Sequence, residues 1–377
     1  MKTFLSIILF LAFTSIVFSQ KEKKESNENP YKFTDIVKLK TSAVKNQYNT
    51  GTCWSYATTS FIETELLSQG KEEVDLSEMF FARLAYTQKA INYVRLHGLA
   101  NFGQGGQAHD VLNIISKNGA LPETEYQGLN YGEKTHNHDE LEALLTSYLK
   151  TLVNLKTEKL SPSWLNGFNS ILDNYLGAIP ATIKVNESSL SPLEYAKNNL
   201  NINPDDYIEI TSYTHHPFYQ KFTLEVPDNW AFNQYYNVPL EDLINIMKNA
   251  LNSGYSIAWD GDVSENNFSH KKGIAVAVDD SDKTTNTIVK ENVITQEIRQ
   301  LAFDNYSATD DHLMHIIGLC KDQNGTEYFI TKNSWGCESN KCGGFLNISE
   351  EYAKLNTIAI MVNKKALPAE IAKKLGL

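Results

Sequence analysis

The sequence predicts an α+β protein in which a helical lobe faces an antiparallel β lobe across a cleft. Between residues 53 and 118 the apolar positions recur at helical spacing. From His312 onward they form three short runs bounded by turn residues, as strands do. Helices come first and strands last, with one polar pair carried on the strands, the order expected of two layers packed around a cleft. A chain of 377 residues, 42% hydrophobic and 11% aromatic, is long enough to bury a large core.

The elements follow in order. Residues 1–19 read as a secretory signal peptide: Lys2 supplies the positive start, Phe4–Phe13 is apolar but too short to span a bilayer well, and cleavage falls near Ser19. An uncleaved anchor is the alternative. Residues 20–32 are a polar, flexible mature N-terminus, and 33–368 form the folded domain. Cys53–Gln69 is a predicted helix with Trp54, Ala57, Phe61, Leu66 and Leu67 on one face, ended by Gly70. Ser77 caps a second helix running to Arg95, with Met79, Phe80, Leu84 and Ala85 as core. Gly103-Gln104-Gly105-Gly106 is a backbone-permissive loop, and a third helix, Ala108–Asn118, stops at Gly119. The middle section holds helices at Asp139–Leu155 and Ser163–Leu176, strands and loops over 204–238, a helix at Leu240–Ser253 and a strand at Ser256–Asp260. Residues 280–300 read as a polar surface excursion. Strands follow at His312–Cys320, Glu327–Lys332 and Gly344–Ile348, and residues 369–377 are a C-terminal tail.

The net charge of −11 argues against nonspecific binding to nucleic acid or to anionic membranes, and predicts an acidic, solvated surface once the signal is removed. Four cysteines are too few for a disulfide framework. Cys337 and Cys342, five apart, are spaced to close a small disulfide, and Cys320 packs in a strand. A zinc site built on them lacks a second close Cys pair or a paired His. The chemistry requires no metal or organic cofactor.

Cys53 sits where an irregular loop gives way to a helix. Unpaired N–H groups in a helix's first turn favour a thiolate there. Gly51 permits a tight turn before it, and the Gln47 amide, six residues upstream, can donate to an oxyanion. The bland reading of Cys53 is a buried, inert small hydrophobe. A thiol nucleophile needs a base and an orienter for that base. Asp311-His312 opens one predicted strand and Asn333-Ser334-Trp335-Gly336 follows another, supplying His312 as base, Asn333 as orienter and Trp335 as a shield against water. His315 is the competing base, but on a strand it points to the opposite face from His312. His109 and the His215-His216 pair read as structural or exposed.

Gln47, Gly51, Cys53 and Trp54, taken with His312, Gly318, Asn333 and Trp335, resemble the active-site motifs of papain-like cysteine peptidases. One departure is Thr50, where papain carries an additional Cys. The family's Cys-to-His gap is about 130–150 residues, whereas 259 positions separate Cys53 from His312. Leu76–Phe80, Pro217–Tyr219, Val226–Trp230, Tyr236–Pro239 and Trp259 with Asp262 narrow the resemblance to the bleomycin-hydrolase-like aminopeptidases (aminopeptidase C) over nearly all of 33–368. That resemblance implies a papain-like two-lobed fold with an inserted, largely helical middle section, roughly within 127–230. It implies Gly105 and Gly106 as the loop that pairs with substrate backbone, beside Trp335, and peptides as substrates. It further implies a homo-oligomer, often a hexamer, with a C-terminal tail that reads the substrate's free amine. Here Leu377 would supply that carboxylate, although Lys373 and Lys374 oppose it and a surface helix is the plainer reading. Such relatives are mostly cytosolic, whereas the signal peptide makes this chain secreted or periplasmic.

The expectation is a cysteine-type peptidase, most simply an aminopeptidase. The rivals are an endopeptidase of the same chemistry, an inactive peptide-binding scaffold, and an amide hydrolase or transferase acting on a non-peptide ligand. Five Asn-x-Ser/Thr sites (Asn186, Asn267, Asn305, Asn324, Asn347) matter only in a eukaryotic secretory pathway.

Overall fold

A computed structural model describes residues 31–155, 157–185, 188–265, 267–278 and 288–377. The proposed signal peptide, most of the polar N-terminus and Asn186 lie outside the described residues. In chain order the helices are α1 (Cys53–Ser68), α2 (Glu78–Arg95), α3 (Ala108–Asn118), α4 (Asp139–Asn154), α5 (Ser163–Leu176), a short α6 (Pro192–Glu194), α7 (Leu240–Asn252), α8 (Gln296–Asp304), α9 (Glu350–Asn356) and α10 (Ala369–Leu375). The strands are β1 (Thr34–Lys38), β2 (Ile183–Val185), β3 (Ser188–Leu190), β4 (Tyr207–Thr211), β5 (Lys221–Thr223), β6 (Gln234–Asn237), β7 (Ile257–Gly261), β8 (Phe268–Ser269), β9 (Ile274–Ala275), β10 (His312–Lys321), β11 (Glu327–Lys332), β12 (Phe345–Ser349) and β13 (Thr357–Asn363).

All strands but the β2–β3 hairpin join one mostly antiparallel sheet, ordered β5-β6-β4-β13-β7-β10-β11-β12-β9-β8, with β1 also on β10. β10 is its axis. Its first half pairs with β7, placing His312 opposite Gly261 and Leu313 opposite Asp260, and its second half pairs with β1. The α+β expectation therefore holds; the middle section over 127–230, expected to be largely helical, also carries β2 to β5, and its two long helices are α4 and α5. These two bury Leu141, Leu145, Leu149, Phe168 and Leu172 in the helical core around α2.

Helix α1 departs from the one-faced helix expected. Every residue from Cys53 to Leu66 is buried, because α1 lies between the sheet on one side and α2 and α3 on the other. Its polar residues are paired rather than exposed, as buried polar groups must be. Glu63 accepts from Ser42 Oγ (2.5 Å) and Leu76 N–H (2.8 Å), Thr59 donates to Glu78 (3.0 Å), and Lys332 of β11 donates to Ser60 Oγ (2.8 Å). His315 bonds Ser60 Oγ (2.8 Å), on the α1 side of the sheet, so it serves the helix–sheet joint. The second helix is capped as predicted, with Ser77 Oγ accepting from Phe80 N–H.

The opposite face of the sheet packs on α7, α9 and α10. The C-terminal segment is helix α10, whose Ile371 and Leu375 are buried in that layer, while Lys374 donates to Tyr219. The expected excursion over 280–300 is in part a helix: α8 starts at Gln296 behind a Thr295 cap. Cys337 and Cys342 form no disulfide; both are free and exposed, and Cys53 and Cys320 are free and buried. Among the described residues no helix is long and apolar enough to cross a membrane.

Candidate active site

The first turn of α1 carries Cys53, and the loop before it is fastened across to the β lobe. Gln47 N–H donates to the Ser334 carbonyl (2.8 Å), Gly336 N–H to the Lys45 carbonyl (3.0 Å), and Ser334 Oγ donates to Gln47 Oε1 (2.6 Å). These bonds orient the Gln47 amide. Its Nε2 gives one hydrogen to the Thr50 carbonyl (2.7 Å) and keeps the other.

His312 opens β10, and its Nε2 lies 2.8 Å from Asn333 Oδ1. That oxygen also accepts from Ser334 N–H (2.7 Å), so the acceptor end of the Asn333 amide faces the ring. Nε2 therefore carries the ring hydrogen, and Nδ1 is left able to take a proton. Trp335 covers the pair, its ring 5.0 Å from that of His312. Of the residues singled out in the sequence, Gln47, His312, Asn333 and Trp335 fall in one bonded cluster at the β10–β11 end of the sheet, and Cys53 meets that end through the N–H of Leu313, the neighbour of His312. His270 was missed. Asn333 Nδ2 reaches its Nδ1 (3.2 Å), its Nε2 bonds Ser339 Oγ (2.7 Å), and its ring sits 4.8 Å from Trp335. Nothing local in Ser269–Lys272 signals this, since the residue arrives through tertiary structure alone.

The electrostatics correct one expectation. The helix start was expected to favour a Cys53 thiolate, but burial pushes the thiol up to about 12. The adjacent Leu313 N–H works the other way, while the charges of Asp228, Asp260 and Asp310 add to the rise. Burial likewise pulls His312 down to about 4, against the Asn333 hydrogen bond. Removing a charge from water costs more here than a helix's partial charge returns. Burial thus favours the neutral form of each group.

The loop Gly103–Gly106 is bound to the start of α1. Gly51 N–H donates to Gln104 Oε1 (2.7 Å) and Trp54 Nε1 to the Gln104 carbonyl (2.9 Å). Gly106 lies so close to Trp54 and Asp110 that an added Cβ would stand 3.0 Å from the indole and 2.8 Å from Asp110 Oδ2. Lys89 donates to the Gly103 carbonyl (3.0 Å) and to that of Gly105. An added Cβ on Gly105 would collide with the Asp228 carboxylate, which closes over this glycine and accepts from Asn101 Nδ2 (2.8 Å).

Comparison with known proteins agrees with this architecture. A model of the peptidase C1-like family matches residues 183–376, and one of the papain family of cysteine proteases matches residues 32–161. The chain is 21% identical to aminopeptidase W of Lactobacillus delbrueckii subsp. lactis, over 90% of this chain and 84% of the relative. It is 21% identical to the mitochondrial cysteine proteinase 1 of Saccharomyces cerevisiae, over 91% and 79%. The crystal structure of PepW from Lactobacillus rhamnosis superposes with a TM-score of 0.73 at 20% identity, covering 91% of this chain and 84% of that one. As the first of these models spans more than half of the sequence, the chain belongs to the peptidase C1-like family of papain-like cysteine peptidases, the grouping implied by its resemblance to bleomycin hydrolase and aminopeptidase C.

Proposed function

We propose that this protein is a cysteine aminopeptidase, with Cys53 as nucleophile, His312 as base and acid, Asn333 as orienter and Gln47 as oxyanion donor. The observation that carries the catalytic part is the His312–Asn333 hydrogen bond under Trp335, which commits the ring to the tautomer with a free Nδ1. As Cys53 Sγ bonds to the substrate carbonyl carbon, its proton passes to Nδ1. The carbonyl oxygen becomes an oxyanion held by the Cys53 N–H and the spare hydrogen of Gln47 Nε2. On collapse the C–N bond breaks, Nδ1 returns the proton to the leaving amine, and a thioester remains. Water, deprotonated at Nδ1, releases the acid and the thiol is restored.

Asp228 supports the restriction to the chain end. Gly105 is where an extended substrate would pair its backbone, and that place is covered by the Asp228 side chain, while the Gly105 carbonyl is engaged by Lys89. A residue at the amino end of a peptide needs no room there; the interior of a long peptide does. Relatives named as aminopeptidases point the same way. The test compares a short fluorogenic peptide amide with its amine free and acetylated, using wild type and Cys53→Ala. Cleavage of the free form alone, lost in the variant, is expected. Equal cleavage of both forms would mean an endopeptidase, and turnover retained by Cys53→Ala would remove the assignment of the nucleophile. Export by the 1–19 segment and assembly into a homo-oligomer belong to the same proposal, and are checked by N-terminal sequencing of the exported protein and by its mass in solution.

A further inference from the structure

Three carboxyl groups converge on the nucleophile from elements far apart in sequence. Asp260 lies on β7 opposite Leu313, whose N–H faces the Cys53 sulfur. It is 3% exposed, and neither of its oxygens receives a hydrogen bond from any described residue. Asp310, two residues before His312, faces it and accepts from Gln107 Nε2 (2.9 Å). The Gln107 amide also lies by Asp260 and favours its charged form, whereas the facing Asp310 carboxyl disfavours it. Asp228 completes the group, its carboxylate over Gly105 and held by Asn101. Asp228 and Asp310 are half-buried, and Asp260 is buried. Lys89, whose charge favours that of Asp228, donates to the Gly103 and Gly105 carbonyls and stands between the rings of Trp54 and Trp230, where Asp110 also faces it.

A buried carboxyl without a donor is costly, and three beside a thiol that must become an anion are costlier still. An arrangement that opposes its own nucleophile makes sense if a cation arrives with the substrate. We propose that Asp228, Asp260 and Asp310 form the subsite for the α-ammonium group of the substrate's first residue. This inference rests on the aminopeptidase reading and names the groups that enforce it. An ammonium has three hydrogens, and the half-buried Asp228 and Asp310 with the unpartnered Asp260 offer acceptors to all three. Asp228 lies over Gly105, and all three carboxyls are near enough to Cys53 for their charges to act on its thiol, the neighbourhood in which the amine of a first residue falls when its carbonyl carbon meets the sulfur. Its charge offsets the carboxylates that add to the effect of burial on the thiol, so binding of the correct chain end also eases formation of the thiolate. Helix α10, the C-terminal segment, packs on the opposite face of the sheet from α1 and is not needed for this recognition.

The test measures kcat/KM for alanine coumarylamide with its amine free and acetylated, and for acetyl-arginyl-alanine coumarylamide, in wild type, Asp228→Asn and Asp310→Asn. Each substitution is expected to lower the free-to-acetylated ratio about 10- to 100-fold, as loss of a charge-assisted hydrogen bond does. A ratio unchanged in both folded variants, with the wild-type preference for a free amine intact, would overturn the subsite and leave the aminopeptidase reading standing. A wild type that prefers acetyl-arginyl-alanine would mean that the pocket takes a basic side chain, which overturns both. Independently of how the variants fold, a crystal of wild type alkylated at Cys53 by a free-amine alanyl chloromethyl ketone is expected to place the ammonium within hydrogen-bond distance of these carboxyls. An ammonium facing the Leu377 carboxylate or bulk solvent instead would overturn the proposal.

Discussion

Gln47 and Ser334 are joined twice, backbone to backbone at 2.8 Å and side chain to side chain at 2.6 Å, so the loop before α1 and the loop after β11 move as one. The consequence is geometric: the proposed oxyanion donor is held in register with Asn333, the neighbour of Ser334, and through it with His312. Ser334→Ala removes one of the two ties and leaves the Gln47 amide held only through the Thr50 carbonyl. A fall in kcat of about 3- to 10-fold with little change in KM is expected, smaller than the roughly 100-fold or greater loss expected for Gln47→Ala. Steady-state kinetics on one free-amine amide would show it. A rise in KM at constant kcat would mean that Ser334 serves substrate binding instead.

The pH dependence follows from burial. His312 is held down to about 4, so it remains a neutral, competent base above that pH, and its part of the acid limb of kcat/KM should appear only as pH drops through about 4, while Asp310, held up to about 7 by burial and by the charge of Asp228, should weaken recognition of a free amine at a higher pH. The thiol, held near 12, stays protonated across the neutral range, so alkylation of Cys53 by iodoacetamide in the free enzyme should still be accelerating above pH 8. A labelling rate already level between pH 5 and 7 would mean a preformed thiolate–imidazolium pair, and the acid limb would then need another origin.

Stability should be most sensitive behind the site, where α1 meets the sheet. Lys45 donates to Glu78 (2.7 Å) and to the Leu76 carbonyl (3.0 Å), and its charge opposes the rise that burial imposes on Glu78 and Glu63. Lys45→Met keeps the length of the side chain and removes the charge, leaving two buried glutamates with less to balance them. Breaking such a pair costs about 3–5 kcal/mol. Urea unfolding at neutral pH should show a loss of that order. Because Glu63 and Glu78 can take up protons, the loss should shrink as pH falls below their raised values.

How far the sequence could be read depended on whether the signal was local. Ser77 announces α2 because the cap and the helix it caps are adjacent, and Gln47, Cys53, His312 and Asn333 announce their chemistry within short motifs. The sense of α1 was not legible, because Thr59, Ser60 and Glu63 look like a solvent face until Glu78, Lys332 and Ser42 are folded onto them. Helix α8 was hidden for the opposite reason. Its anchor is a buried arginine, Arg299, bonded to the Ser212 (2.8 Å) and Lys354 (3.0 Å) carbonyls rather than an apolar stripe. The carboxyls around Cys53 come from a loop, a strand edge and the approach to β10, and no spacing rule connects positions 105, 228, 260 and 310. They add to the burial that reverses the local argument for a thiolate, which considered only the helix that carries the cysteine.

His270 offers the sharpest separation of positioning from chemistry. It accepts from the Asn333 amide at 3.2 Å while its own Nε2–H faces Ser339 Oγ, and its ring helps Trp335 keep water from His312. Burial, with the charge of His312, pulls it down to about 4, so at neutral pH it is an uncharged acceptor. His270→Ala should do two things. Asn333 loses the partner that fixes its amide, lowering kcat about 3- to 10-fold with Cys53 still open to alkylation. Water then reaches the His312 ring, and the burial that depresses it is relieved, so the acid limb of kcat/KM should move upward from about 4 towards the ordinary histidine range near 6.5. His270→Gln, which keeps an acceptor for the Asn333 amide but not the flat ring, should restore part of kcat while leaving the shifted acid limb in place. A variant with reduced kcat and an unmoved acid limb would limit His270 to holding the amide.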